Sequence, residues 1–152
     1  MSIRIHPIKA FNDNYIWTLI NENNKQAIVI DPGQAEPVIA YLEEHELELT
    51  SIWTTHHYHD HIGGVAELQE SYPMTHLVAH TEHNVDEDQT IKDGSTVSAW
   101  GCAAQVWDVS GHTASHVAYI LDIDGQKHCF CGDTLSSAGC GRVFTGTIEQ
   151  LH

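Results

Sequence analysis

Positive charge is what this sequence most lacks. Six Lys and Arg stand against 21 Asp and Glu, for a formal net charge of −15. Such a surface neutralises few phosphates, which argues against nucleic acid as a partner. Most of the acids are expected to be solvated and to keep the chain soluble. Apolar runs of about 18 residues are also missing, which excludes a helical membrane span. The start, Met1-Ser2-Ile3-Arg4-Ile5-His6, has neither the charged region nor the long apolar stretch of a signal peptide, so the cytoplasm is the expected compartment. None of the four cysteines, Cys102, Cys129, Cys131 and Cys140, forms a CxxC pair. Cys129 and Cys131 share a strand face, but nothing nearby completes a thiolate site. Reduced packing cysteines are expected rather than a disulfide framework. There is no repeat, low-complexity tract or linker. The 152 residues suit one domain, 1–152, large enough to bury about 68–70% of the unfolded surface.

The apolar pattern that is present alternates between strand and helix. Ile3–Ile8, Tyr15–Ile20 and Ala27–Ile30 read as strands, the last two joined by a turn at Asn21–Lys25. Asp31-Pro32-Gly33 breaks the third. Ala35–His45 reads as a helix with Val38, Ile39 and Leu42 on one face. Ser51–Thr55 is a short strand, Gly64–Tyr72 a helix with Val65 and Leu68 inward, and Leu77–Ala79 a buried strand. From Thr96 the pattern is mainly β: Thr96–Ala99, Ala104–Val109, Val117–Ile123, a turn at Asp124-Gly125, and Lys127–Cys131. Strand blocks separated by helices predict two packed sheets with helices outside, an α/β (α+β) architecture. Thr147 caps a further expected helix, Ile148–Leu151, with Gln150 in capping-box position. So short a helix is marginal alone, since about 12 residues are needed. The expectation is that the domain is incomplete at its C-terminus.

Histidine is abundant, thirteen in all, and clustered. In His56-His57-Tyr58-His59-Asp60-His61, four His, one Tyr and one Asp fill six consecutive positions at the end of a predicted strand, before Gly63-Gly64 and a helix. Imidazole with carboxylate suits Zn²⁺, Fe or Mn²⁺. In extended chain His56 and Tyr58 share one face and His57 and His59 the other; the turn into the helix lets Asp60 and His61 both face one site. Gly111-His112-Thr113 and Gly132-Asp133-Thr134 also follow predicted strands, where a His and a carboxylate from distant segments can converge. Taken singly, His112 reads equally well as a loop histidine and Asp133 as a turn residue.

The segments His56–Gly64, Gly111-His112-Thr113 and Gly132-Asp133-Thr134 resemble the metal-binding motifs of the metallo-β-lactamase superfamily. Phe11-Asn12-Asp13-Asn14-Tyr15-Ile16-Trp17, Asp31-Pro32-Gly33 and Gly139-Cys140-Gly141-Arg142 resemble glyoxalase II, the hydroxyacylglutathione hydrolases, over essentially the whole chain. The resemblance implies a four-layer αββα sandwich with two zinc ions. His56, His112 and Asp133 hold the first, Asp60 and His61 the second, and Asp133 bridges; Asp60 is also the candidate catalytic residue. It further implies that a hydroxide attacks the thioester carbonyl of S-lactoylglutathione, with glutathione thiolate leaving. Arg142 matches a basic position that meets glutathione, and Phe144 falls where the family often places a Tyr.

Two departures qualify that implication. The family motif reads His-x-His-x-Asp-His, and its second His is Tyr58 here. A phenol ligates well only as phenolate, from a reference pKa of about 10, and phenolate favours a metal harder than Zn²⁺. His57 or His59 can substitute only if the strand end shifts by one residue. A further ligating His and the helical glutathione-binding region of the family are expected to be absent, so one metal or none is expected in this chain. Two alternatives stand beside the thioesterase: a mononuclear-iron persulfide dioxygenase of the same superfamily, using His56, His112 and Asp133, and a truncated non-catalytic homologue.

Overall fold

The computed structural model describes residues 3–10, 14–55, 63–80, 88–108, 117–123, 125–130 and 143–144. The first sheet has six strands in the order β1 (Ile3–Ala10), β2 (Asn14–Asn21), β3 (Gln26–Ile30), β4 (Glu48–Trp53), β5 (His76–Ala79) and β6 (Gln89–Thr90). β1, β2 and β3 pair antiparallel; β3 to β6 pair parallel. Parallel neighbours need a crossover. Here α1 (Glu36–Glu44) carries the chain from β3 to β4, and α2 (Val65–Ser71) from β4 to β5. Pro7 lacks a donor, and it sits on β1, an edge strand, where that loss is tolerated. The β2–β3 turn is closed by the Asn21 Oδ1, which accepts from the N–H groups of Asn23 (3.1 Å) and Asn24 (3.3 Å). The second sheet is antiparallel, in the order β11 (Val143–Phe144), β10 (Gln126–Phe130), β9 (Val117–Ile123), β8 (Cys102–Asp108), β7 (Thr96–Ala99).

Alternation sorts the core into two layers. Ile16, Ile20, Ala27, Val29, Ile52 and Leu77 face Val38, Leu42, Val65 and Leu68 of the helices. On the opposite face Leu19, Ile28, Ile30, Trp53 and Val78 meet Val106, Val117, Tyr119, Leu121 and Phe130 of the second sheet. The expected sheet-on-sheet sandwich with helices outside is therefore present. Among the described residues both helices cover the first sheet, and the helix expected from Thr147 lies outside those residues. One alternation is broken. Thr50 is an extra residue in the β3–β4 ladder, because Ala27 pairs with Leu49 and Ile28 with Ser51. That bulge puts both Leu49 and Ile52 on the helical side. It is why β4 begins at Glu48 rather than at Ser51, where the pattern alone puts it.

Cys102 donates its thiol to the Asp122 carbonyl (3.0 Å), and Cys129 is a buried thiol. Burial pushes the Cys129 thiol up to about 11, so it stays protonated and inert. Cys131 and Cys140 lie outside the described residues. His128 is buried in the second sheet opposite Leu121. Burial lowers its pKa below 6.5, and Asp122 only partly offsets this. His6, stacked on Tyr41 at 4.6 Å, is lowered by burial first and then by Arg4 and His45. Both rings prefer to be neutral in the fold. A base with a depressed folded pKa contributes its full stability above its unfolded value, and that contribution is lost as pH falls below it. The urea midpoint is thus expected to drop as pH falls below about 6.5, the ordinary histidine value, with a shallower drop for His128→Gln. An equal slope for that variant would show that His128 carries none of the dependence.

Candidate metal centre

Ligands in sheets with parallel strands gather at the strands' C-terminal ends. β4 ends at Trp53, and Thr54, Thr55 and then the histidine cluster follow directly. In the second sheet, β8 ends at Asp108 opposite Val117, the first residue of β9. β10 ends at Phe130 opposite Tyr119. The segment carrying His112 leaves from Asp108 and re-enters at Val117, and the segment carrying Asp133 leaves from Phe130. Two bonds bring the sheets together there. Val117 donates its N–H to the Thr55 carbonyl (3.0 Å), and the Tyr119 hydroxyl donates to the Thr54 carbonyl (2.7 Å). Three stretches far apart in sequence thus depart from one edge of the sandwich.

The floor of that edge is built around Asp31. Its N–H donates to the Trp53 carbonyl at 2.9 Å. Its carboxylate accepts from the Thr55 N–H at 2.7 Å and from the Thr55 hydroxyl. Asp31 has φ +53°, a left-handed conformation that Asp tolerates better than most residues. The break read at Asp31-Pro32-Gly33 is therefore also a docking point. Gly64, at the far end of the histidine segment, donates its N–H to the Pro32 carbonyl at 2.8 Å. A Cβ on Gly64 would meet backbone atoms of Pro32, Gln34 and Ala35 at 2.6–2.8 Å, so no side chain fits. Both ends of the histidine-bearing segment are tied to the same β3–α1 loop.

His56, Tyr58, Asp60, His61, His112, Asp133 and Arg142 lie outside the described residues. Phe144 lies on β11 opposite Lys127, at the start of β10, whereas the Asp133 segment leaves from that strand's end. Among the described residues no cluster of three His, Cys, Asp or Glu side chains can hold a metal. What the described residues supply is the support: Asp31, Thr54, Thr55, Gly64 and Tyr119. Little in the sequence signals these roles, since Thr55 and Tyr119 look like ordinary strand residues. Burial, with the Asp31 charge second, raises the Tyr119 phenol well above its usual value, so it stays protonated and donates.

Known proteins share this fold. The family model described as "Metallo-beta-lactamase superfamily" matches residues 15–97. A hydroxyacylglutathione hydrolase of Vibrio cholerae serotype O1 is 45% identical over 150 residues, covering 98% of this chain and 58% of that protein. One from Aliivibrio salmonicida is 48% identical over 148 residues, covering 97% and 57%. The chain thus spans somewhat under three-fifths of the length of these relatives. Among solved structures, the BLEG-1 B3 metallo-beta-lactamase superposes with a TM-score of 0.77 at 21% identity, over 97% of this chain and 81% of that one. ETHE1 from Myxococcus xanthus superposes with a TM-score of 0.73 at 27% identity, over 99% and 66%. The fold they share with this chain is the expected sandwich. Among the described residues, no helix is long and apolar enough to cross a membrane.

Proposed function

Because the chain belongs to the metallo-beta-lactamase superfamily, a group of metal-ion proteins, we propose that it is a zinc-dependent thioester hydrolase cleaving hydroxyacylglutathione. S-lactoylglutathione is the leading substrate, with lactate and glutathione as products. The observation that carries this reading is the common edge. The segments bearing His56–His61, His112 and Asp133 all depart from the strand ends joined at Thr54, Thr55, Val117 and Tyr119. The donor set is imidazole and carboxylate, which fits zinc. His56, His112 and Asp133 are the proposed ligands of one position, with Asp60 and His61 at a second. A bound zinc supplies Lewis-acid polarisation and lowers the pKa of water. The relatives of 45–48% identity that are named hydroxyacylglutathione hydrolases support the substrate class. Arg142 is the proposed contact to the anionic glutathione moiety.

The test is metal content of the dialysed chain, together with S-lactoylglutathione cleavage followed at the thioester absorbance. The expected result is zinc-dependent cleavage, with no more than a single zinc retained per chain because Tyr58 replaces an imidazole. A folded, zinc-loaded chain that leaves the thioester intact would refute the hydrolase. Oxygen uptake with glutathione persulfide on iron loading would move the reading to a dioxygenase.

A further inference from the structure

We propose that Tyr119 is a positioning residue for the metal-binding segment, holding the backbone ahead of His56 from the opposite sheet. This rests on the hydrolase reading above for its consequence, but not for its geometry. Thr54 and Thr55 immediately precede His56, and all four of their main-chain polar groups are engaged. The Thr54 N–H donates to the Val78 carbonyl (3.0 Å), and the Thr54 carbonyl accepts from the Tyr119 hydroxyl (2.7 Å). The Thr55 N–H donates to Asp31 (2.7 Å), and the Thr55 carbonyl accepts from the Val117 N–H (3.0 Å). Of these bonds only the one from Tyr119 is made by a side chain of the second sheet. It spans 65 positions of sequence between two buried residues. The Tyr119 ring lies against Trp53 at 5.0 Å, so the hydroxyl is delivered by a ring already fixed in the core between the sheets.

The chemistry follows from this placement. Ligands must sit within about 0.5 Å of their productive places. β4 brings the first histidines from one sheet, while the other motif segments leave the second sheet. A bond that joins the sheets two residues before the first ligand sets the distance between the two ligand groups. Tyr119→Phe keeps the ring and removes only the donor, leaving the buried Thr54 carbonyl without this partner.

The experiment compares wild type, Tyr119→Phe and Val38→Ala. Val38 lies in the helix-side core, in the other layer from Tyr119. Amide hydrogen exchange is read on the metal-free chains and Zn²⁺ affinity by chelator competition. In Tyr119→Phe the Thr54, Thr55 and Val117 amides are expected to exchange about tenfold faster relative to α1. Zn²⁺ affinity is expected to fall about 10–100-fold, the usual effect of losing support behind a ligand. Val38→Ala should lower the unfolding midpoint and leave the affinity of the folded chain unchanged. Unchanged exchange in Tyr119→Phe overturns the proposal. So does faster exchange with unchanged affinity, or an equal loss of affinity in Val38→Ala. A wild-type chain that takes up no zinc, while its Thr54 and Thr55 amides still respond to Tyr119→Phe, overturns the hydrolase reading and leaves the link between the sheets standing.

Discussion

Replacing Asp31 with alanine is expected to cost about 3–5 kcal/mol of folding stability, and replacing it with asparagine less than half of that. Burial, hydrogen bonding and backbone conformation all contribute. The carboxylate is buried and accepts from both the N–H and the hydroxyl of Thr55, itself fully buried. Removing it takes this acceptor from two donors, at about 1–3 kcal/mol each. The backbone is also left-handed at φ +53°, where alanine is disfavoured by about 1 kcal/mol and asparagine is tolerated. The asparagine side chain keeps an oxygen for the Thr55 N–H, and its amide can donate to the Thr55 hydroxyl, which accepts as well as donates. Urea unfolding of the metal-free chains at neutral pH measures both variants. A loss below about 1 kcal/mol for Asp31→Ala would mean that water or another group replaces the carboxylate, and that Asp31 does not organise this edge.

What can be read in the sequence divides along physical lines. β7 and β9 run Thr96–Ala99 and Val117–Ile123, as read. Their patterns of apolar residues are uninterrupted. The start of β4 is misread because the Thr50 bulge spoils the period of two. β6 and β11 escape notice because strands of two residues carry no period at all. At the candidate site the ligand types stand out, since six adjacent polar metal-binding side chains are rare in a loop. The supporting residues do not. The contacts from Asp31 to Thr55 and from Tyr119 to Thr54 span 24 and 65 positions. Nothing local distinguishes a buried Thr or Tyr with such a partner from one that only fills space. Asp31 is visible as a strand break but not as an acceptor, because a break is a property of the backbone and the acceptor role depends on what folds against it.

Tyr58→His is expected to tighten Zn²⁺ binding by about 10–100-fold. Register decides this. Tyr58 stands where the family motif has its second histidine, two positions after His56. A slip of one residue would instead offer His57 or His59. The structure makes that slip costly. Thr54 and Thr55 are fixed through both their N–H and their carbonyl groups to Val78, Asp31, Val117 and Tyr119. A shift by one residue breaks all of these bonds, at about 0.5–1.5 kcal/mol each, and the Gly64 end is fitted against Pro32 with no room for a side chain. The chain therefore leaves Thr55 in the register of β4, and on that register Tyr58 is the position expected to face the metal. A neutral phenol is a weak zinc ligand. A phenolate adds negative charge beside the proposed carboxylate Asp133. A histidine in place of Tyr58 supplies a neutral imidazole of suitable reach instead. The measurement is a competition titration against a chromogenic chelator, with both variants at one pH above the histidine range, so that protonation does not mask the difference. The gain should persist in an Asp31→Asn background, which keeps the register, and shrink in Asp31→Ala, which loosens it. An unchanged or weaker Zn²⁺ affinity in Tyr58→His would show that position 58 does not face the metal, and that His57 or His59 supplies the missing imidazole.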